Sequence, residues 1–288
     1  MRFTLPRLLV GLLLLLVLAA FGGWWHIGSA FSGPAHRTIG PAPDDLGAQD
    51  VSFGGGIKGW LVPAGGSSPC VVLMHGMGGD RRNMVDRARL FKGQGYTVLL
   101  FDFQAHGESP GDHITFGFRE ADNARAAVDF IKANASCTRT VALGVSMGGA
   151  AALLGPQPLP VDALVLESVY PTIEEATRDR MVDRFGPLGQ YLTPLLLPQL
   201  PLRLNIPVEA LHPIDHIGEL RCPVLIMAGD SDPLTPPAET LRLFSQAPGP
   251  KSYWLAPGVG HSDLFDATGG AYRRHLLGFL AATARSST

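Results

Sequence analysis

The chain has 288 residues, among them 35 glycines and 24 prolines, and its formal net charge at pH 7 is −2. A charge so near zero gives no electrostatic basis for binding nucleic acid, so we expect no nucleic acid partner. Without its N-terminal apolar segment the chain keeps about 260 residues, a length that suits a single α/β domain. No feature of the sequence specifies an oligomeric state.

The N-terminal segment is built like a membrane signal. Arginines at positions 2 and 7 precede an almost unbroken apolar run from Leu8 to Phe21, and Trp24 and Trp25 follow it. The extended run approaches the roughly 20 residues that span a hydrocarbon layer, and tryptophan is favoured at membrane interfaces. Residues 1–30 are therefore predicted to be an uncleaved signal anchor. A cleaved signal peptide is the alternative, because small residues precede the next segment.

The position of the N-terminal charges also predicts the compartment. Positive charge ahead of the apolar run keeps that end in the cytoplasm, so the remaining chain should lie on the non-cytoplasmic side, periplasmic or extracellular. After cleavage the protein would instead be secreted. Residues 31–50, rich in Gly, Pro and Ala, are predicted to be a linker, and 51–288 to be the folded domain. Alternation from Val51 to Val62, interrupted by glycines at 54–56, predicts an opening hairpin.

A first buried strand is predicted from Cys70 to Met74, and it ends in the glycine-rich sequence HGMGG at 75–79. Asp80 is suited to cap a helix that begins at Arg81. A glycine-rich strand end leaves backbone N–H groups pointing outward, so the N–H of Met77 is a candidate donor to a tetrahedral oxyanion. An ordinary turn that uses glycine for positive φ fits the same residues.

The sequence Gly-Val-Ser-Met-Gly at 144–148 follows the apolar run Thr140–Leu143 and precedes small residues. This context predicts a strand, a sharp turn and a helix, which is the arrangement of a nucleophile elbow. Glycines two residues to either side of the serine relieve clashes with neighbouring backbone. We therefore predict Ser146 as the nucleophile and the N–H of Met147 as a second oxyanion donor.

Two later strand ends supply partners for this serine. The run Pro223–Ala228 leads into Gly-Asp-Ser-Asp at 229–232, and the short strand Tyr253–Ala256 leads into a loop that carries His261. In the predicted roles, His261 takes the serine proton, and Asp232 fixes the tautomer of the imidazole and stabilises its charged form. Asp230 and Glu167, each at the end of a predicted strand, are alternative acids.

Five segments in this order resemble the α/β-hydrolases, most closely the serine hydrolases of the Bem46/ABHD13-like and serine aminopeptidase-like (S33) groups. The matching segments are HGMGG at 75–79, LLFDFQAHGES at 99–109, GVSMGG at 144–149, AGDSDPLTP at 228–236 and GVGH at 258–261. The resemblance extends from Val51 to the C-terminus. It departs at Phe103 and Gln104, where relatives often carry Arg-Gly, on a loop at the rim of the expected site.

The resemblance implies an α/β-hydrolase fold, in which a mostly parallel eight-stranded sheet is flanked by helices and a helical lid is inserted at about 170–217. It assigns the nucleophile to Ser146, the acid to Asp232, the base to His261 and the oxyanion donors to Met77 and Met147. The acid of such hydrolases usually lies three residues beyond the glycine that ends its strand, which favours Asp232 over Asp230.

The lid region is expected to determine specificity. Ile173–Phe185 predicts a helix after Pro171 and Thr172, and the apolar segment Leu188–Leu204 follows it. Apolar residues exposed here would line an acyl pocket or enter the bilayer, and the alternative is that they pack on the core. An acidic residue of this region, Glu174, Glu175 or Glu209, would instead favour binding of a substrate amine.

The order of strands in such hydrolases places those that carry Cys70 and Cys137 side by side. These two cysteines are therefore a candidate disulfide, and export would permit it. Cys222 is expected to be a buried apolar residue. His75 and His106 are expected to bond backbone. His212 and His216 have the spacing of helical metal ligands, but the intervening proline favours a helix start, so we expect no metal site.

The sequence thus predicts a cofactor-independent serine hydrolase that cleaves a carboxylic ester or thioester through an acyl-serine intermediate. Its partners would be a small-molecule or lipid acyl ester and the membrane that holds its N-terminal segment. An aminopeptidase or amidase with the same triad is an alternative. A non-catalytic, membrane-tethered scaffold with a hydrolase fold is another, because a fold does not guarantee activity.

Overall fold

The structure is a computed structural model that describes residues 4–261 and 263–285. Within these residues the predicted eight-stranded, mostly parallel sheet is confirmed. Its strands are β1 (Gln49–Phe53), β2 (Ile57–Val62), β3 (Ser68–Met74), β4 (Thr97–Phe101), β5 (Cys137–Val145), β6 (Ala163–Glu167), β7 (Val224–Gly229) and β8 (Lys251–Ala256). They lie side by side in the order β1-β2-β4-β3-β5-β6-β7-β8. Strand β2 runs antiparallel to both of its neighbours, and the other pairs are parallel.

Helices cover both faces of this sheet. They are α1 (Thr4–Ser32), α2 (Val85–Gly93), α3 (Glu120–Asn134), α4 (Met147–Leu153), α5 (Ile173–Phe185), α6 (Thr193–Leu196), α7 (Pro213–His216), α8 (Pro237–Gln246), α9 (Leu264–Thr268) and α10 (Gly270–Arg285). Alternate side chains of β3 pack on opposite faces of the sheet. Val71 and Leu73 pack with α2 and α10 on one face, and Val72 and Met74 pack with α3 and α4 on the other. Burial on both faces explains the nearly continuous apolar runs that predicted the central strands.

The opening hairpin is confirmed, with β1 and β2 paired antiparallel. Glycines at 54–56 form its turn at φ values of 48°, 83° and 103°. Such positive values favour glycine. The disulfide is present between Cys70 and Cys137, whose Cα atoms lie 5.4 Å apart, and Cys222 is a buried free thiol.

Residues 31–50 differ from the predicted linker. Helix α1 runs on to Ser32, and Ala35–His36 then forms a short parallel pairing with His106–Gly107. Ile39 and Leu46 are buried in the core. Burial of these two apolar side chains fixes the segment against the domain, so it packs on the fold rather than linking freely to it.

The N-terminal helix α1 contains Leu9–Ser32, which is long and apolar enough to cross a membrane. The lid, defined here as residues 170–217, begins with the predicted helix α5. The hydroxyl of Thr172 caps this helix by accepting from the Glu175 N–H at 3.3 Å. Some apolar lid residues, among them Leu200 and Leu204, pack in the core, whereas others, such as Leu188 and Leu195, are exposed.

Candidate active site

The predicted site residues follow the carboxyl ends of neighbouring parallel strands. The register aligns Val145 with Glu167, Glu167 with Met227, and Met227 with Trp254. Strands β5 to β8 therefore end at one edge of the sheet, and the loops after β5, β7 and β8 carry Ser146, Asp232 and His261. Ligand and catalytic sites of open α/β sheets lie at this edge.

Ser146 lies on a tight turn between β5 and α4, at φ 49° and ψ −115°. Its N–H donates to Glu167 O at 2.7 Å, and its carbonyl accepts from the first turn of α4. A Cβ at Gly148 would stand 2.6 Å from the carbonyl oxygens of Met74 and His75, and a Cβ at Gly144 would meet the backbone of α4 at 2.5 Å. Both positions therefore require glycine, and their close packing holds the serine in a conformation that costs about 1–3 kcal/mol.

Asp232 and His261 form a hydrogen-bonded pair. The imidazole Nδ1 lies 2.9 Å from Asp232 Oδ2 and 3.1 Å from Oδ1. An ionised carboxylate only accepts, so Nδ1 carries the proton. Oδ1 also accepts from the N–H groups of Leu234 and Thr235, and Oδ2 from the Thr235 hydroxyl. Burial disfavours the carboxylate, but the bonds from His261 and Thr235 outweigh burial and hold the pKa of Asp232 below its ordinary value.

The two alternative acids bind other groups. Asp230 Oδ1 accepts from the Gly258 N–H at 2.7 Å and from the Ser231 hydroxyl at 2.8 Å, which fixes the turn after β8. Glu167 is buried against the Arg87 guanidinium, with 2.6 Å between Oε2 and Nη2. Of the three carboxylates considered, Asp232 is the one bonded to His261.

The predicted oxyanion donors lie beside the serine. Met77, Ser146 and Met147 line one cavity. Among residues 4–261 and 263–285, the structure records no hydrogen-bond acceptor for the N–H of Met77 or Met147. Met147 is the first residue of α4, so its N–H is one of the groups that a helix leaves without an internal partner. Both N–H groups thus belong to residues that line the cavity of Ser146 and have no recorded acceptor among the described residues.

His75 and His106 bond backbone, as predicted. His75 Nε2 accepts from the Phe103 N–H at 3.1 Å, and His106 Nε2 accepts from the Gly78 N–H at 3.1 Å. Each Nδ1 lies within 2.8 Å of a backbone carbonyl oxygen. Burial and the neighbouring His106 lower the pKa of His75 to about 3, and burial also lowers the pKa of His106. Both imidazoles are therefore neutral and hold the loops that frame Met77.

A buried ionic network that the sequence did not reveal contacts the loop that carries His261. Arg87 of α2 binds Glu167 at the end of β6 and both carboxylate oxygens of Asp263, at 2.8 and 2.9 Å. Tyr272 donates to Glu167 within the same network. Asp263 lies two residues beyond His261, so Arg87 ties the loop of the candidate base to the sheet. Arg87 and Asp263 lie 176 positions apart in the sequence, and no local motif predicts their pairing.

His212 has its own local partners. Its Nε2 lies 2.9 Å from Glu174 Oε2, and its Nδ1 lies 3.2 Å from Asp215 Oδ2. Helix α7 begins at Pro213, as the sequence predicted. These bonds tie the end of the lid to α5.

The cavity beside Ser146 is mostly apolar. Its walls come from the lid, from loops at the strand ends and, unexpectedly, from the end of α1, which contributes Gly28, Phe31 and Ser32. Within the described part of the chain, the two charged residues that line it are Arg180 and Arg203. Burial lowers the pKa of Arg180, which donates to the carbonyl of the residue one turn before it. No pattern in the sequence indicated that the N-terminal helix would reach the site.

Comparisons with known proteins agree with this architecture. Residues 71–273 match the model of the alpha/beta hydrolase family. The chain is 32% identical over 234 residues to the uncharacterized protein Rv2307c of Mycobacterium tuberculosis, a match that covers 80% of this chain and 76% of that protein. It is 26% identical over 209 residues to lysophosphatidylserine lipase ABHD12 of Macaca fascicularis, which covers 67% of this chain and 49% of that protein.

Solved structures share the fold. Esterase Pf2001 of Pyrococcus furiosus has a TM-score of 0.73 and 22% identity, over 88% of this chain and 98% of that one. A monoacylglycerol lipase of Paleococcus ferrophilus has a TM-score of 0.57 and 20% identity, over 79% of this chain and 99% of that one. The family match spans more than half of the sequence and contains Ser146, Asp232 and His261. The chain therefore belongs to the alpha/beta hydrolase family.

Proposed function

We propose that the protein is a serine hydrolase that cleaves a carboxylic ester or thioester through an acyl-Ser146 intermediate. The observation that carries this proposal is the hydrogen bond between His261 and buried Asp232, at the same sheet edge as a serine held in a strained elbow. The names of its relatives and structural neighbours, which include an esterase and two lipases, favour an ester as the substrate.

In the proposed mechanism the proton on Nδ1 of His261 stays on the imidazole and is hydrogen-bonded to Asp232, which leaves a lone pair on Nε2 to take the hydroxyl proton of Ser146. The serine oxygen attacks the ester carbonyl, and the N–H groups of Met77 and Met147 bind the oxyanion. His261 then protonates the leaving alcohol or thiol, which leaves an acyl-serine. Water activated by the same imidazole adds to this ester and releases the acid. These residues supply every proton transfer and addition, so the mechanism requires no cofactor.

The lining of the cavity favours an ester over a peptide amine. Recognition of an amine was expected to use Glu174, Glu175 or Glu209, but none of these lines the cavity. Glu174 binds His212, and Glu175 pairs with Arg242 at 2.6 Å. The charged lining residues are arginines, which favour carbonyl oxygens or anionic groups over a charged amine.

The test is hydrolysis of p-nitrophenyl esters from acetyl to palmitoyl by the full chain in detergent, beside the Ser146→Ala variant and an aminoacyl-anilide substrate. The expected result is ester turnover that falls by about 10⁴-fold or more in Ser146→Ala. Ser168→Ala is the matched control, because Ser168 also follows a strand of the sheet, is buried and has a φ of 49°. This control should retain turnover.

Each result separates the alternatives. Turnover of the anilide alone would move the assignment to an aminopeptidase or amidase. Ester turnover that persists in Ser146→Ala would contradict the mechanism. Absence of turnover on every substrate would favour the scaffold with a hydrolase fold.

A further inference from the structure

The end of α1 is part of the cavity wall beside Ser146. Gly28, Phe31 and Ser32 line the cavity together with the lid. Ser32 is buried, and its carbonyl accepts from the Ile114 N–H at 2.9 Å, so this end of the helix is fixed to the domain. A helix apolar enough to cross a membrane therefore reaches the cavity that the candidate nucleophile also lines.

A second, larger apolar groove continues along the same helix. All of its lining residues belong to α1 or to the lid, among them Trp24 and Phe31 of α1 and Met181, Phe185, Leu195 and Leu196 of the lid. Phe31, Met181 and Leu196 line both spaces. These three side chains thus form the boundary between the cavity at Ser146 and the groove along α1.

We propose that the cavity and the groove form one acyl channel, which runs from Ser146 along the seam between α1 and the lid and opens towards the bilayer. The substrate is then a long-chain acyl ester that resides in the membrane and enters laterally. This inference rests on the proposed function, because the channel delivers an ester carbonyl to Ser146. It also gives α1 a role in the site besides anchoring.

The sizes of the two spaces support a long chain. The cavity at Ser146 has a volume of about 90 Å³, which at about 30 Å³ per water-sized group holds roughly three such groups. A methylene is of similar size, so a short acyl chain fills this cavity. The groove has about 690 Å³, and the distal part of a longer chain would lie there.

The seam is held by specific contacts. Gln199 of the lid donates to the Trp24 carbonyl at 2.8 Å, and Trp24 Nε1 donates to the Leu195 carbonyl at 2.5 Å. Arg203 donates to the Ser29 hydroxyl, and its guanidinium lies 4.1 Å from the centre of the Trp25 ring. These polar contacts lie at the tryptophans that suit a membrane interface, so the lid is docked at the level where lipid chains begin.

The outer surface of the lid is suited to lipid. Phe185, Leu188, Tyr191, Leu195 and Leu202 are each more than half exposed, and the first and fourth also line the groove. A patch of this kind marks an interaction surface in soluble proteins. The patch is continuous with the groove along α1, so it would lie against the same membrane as α1. We therefore take the occupant of the groove to be an acyl chain of that bilayer.

The experiment uses the full chain in phosphatidylcholine vesicles. Two rates are measured in each variant, one for 4-methylumbelliferyl palmitate in the same vesicles and one for the soluble butyrate ester. Leu196→Trp places a large ring at the boundary between cavity and groove. The ratio of palmitate to butyrate turnover should then fall at least tenfold, because each methylene that loses its apolar site weakens binding of the chain about fourfold. Leu241→Trp, on an exposed position of α8, should keep the ratio within about twofold of the wild type.

A second pair of variants covers the case in which Leu196→Trp does not fold. A Cβ at Gly28 would overlap the Gln199 amide oxygen, whereas nothing lies within 4 Å of a Cβ at Gly22. Gly28→Val therefore disturbs the seam and should lower the same ratio, while Gly22→Val, on the same helix, should not.

The outcomes are distinguishable. A wild-type ratio in both Leu196→Trp and Gly28→Val would overturn the channel while the proposed function stands. Equal palmitate turnover from protein-bearing vesicles and from separate, protein-free vesicles would overturn lateral entry. If butyrate is not hydrolysed in a manner that depends on Ser146, the proposed function fails and this inference fails with it.

Discussion

Replacing Asp232 by asparagine tests the role of the acid without changing its shape. Oδ1 accepts from the N–H groups of Leu234 and Thr235, at 2.8 and 2.9 Å, so the amide oxygen of the new side chain must take that position. The NH₂ group then faces His261 Nδ1, 2.9 Å from the replaced oxygen. Two donors cannot face each other, so His261 must shift its proton to Nε2 and can no longer accept the serine proton.

The magnitude follows from this change of tautomer. In the serine protease triad, substitution of the aspartate by asparagine lowers kcat by about 10⁴, which is about 5.5 kcal/mol of activation free energy at about 1.36 kcal/mol per tenfold. We expect a loss of this order for Asp232→Asn in hydrolysis of p-nitrophenyl butyrate. Folding should be preserved, because the amide oxygen keeps both backbone hydrogen bonds.

Asp230→Asn is the matched control. Asp230 lies two positions earlier in the same loop, and its Oδ1 accepts from the Gly258 N–H, a bond that an amide oxygen can also accept. Its turnover should stay within about threefold of the wild type, as expected for a carboxylate that does not touch the imidazole. Turnover of Asp232→Asn within about tenfold of the wild type would refute the reasoning, and so would an equal loss in both variants.

Three further predictions concern stability. Removing the disulfide with Cys70→Ala and Cys137→Ala frees a loop of 67 residues, and the free energy of unfolding in denaturant should fall by about 4 kcal/mol; an unchanged midpoint would contradict this. Arg87→Met leaves the buried Glu167 carboxylate without its cation, so the free energy of unfolding in denaturant should fall by about 3–5 kcal/mol. The double variant Arg87→Met with Glu167→Gln should recover part of that loss, and a double variant as unstable as the single one would contradict this cause. Burial and acidic neighbours raise the pKa of Glu239 to about 8 from its ordinary 4.5, so the folded state holds a proton that the unfolded chain loses. Stability should therefore fall as pH rises from about 4.5 to 8, and Glu239→Gln should flatten that part of a Tm profile against pH; an identical profile would contradict this cause.

The sequence predicted the strand ends because a central strand of a parallel sheet is a local feature. An apolar run with a glycine at or just beyond its end, as at Gly76, Gly144 and Gly229, marks both the burial and the turn that follows. Parallel strands bring their carboxyl ends to one edge, so the strand ends also predicted that His261 would meet an acid there, and the family resemblance favoured Asp232 among the candidates.

What the sequence did not predict depends on contacts across long separations. Arg87 meets Asp263, and Gln199 meets Trp24, 175 positions away. Neither pairing has a periodic or motif signal. The predicted linker failed for a related reason, because Ile39 stands alone among glycines and prolines, where composition indicates a loop although the side chain is buried.

The contacts of α1 bear on the choice between an anchor and a cleaved signal. A signal peptide that is removed has no reason to fit the mature surface, whereas α1 fits the lid closely at Gly28 and lines the cavity beside Ser146. Removal of residues 1–30 would separate Arg203 from Ser29 and Trp25, and it would open the apolar wall to water. Exposure of that wall costs free energy in proportion to its area, which favours a helix that stays with the domain. If the proposed channel holds, anchoring and substrate binding would depend on the same helix, and the membrane would be the source of the substrate as well as the place of attachment.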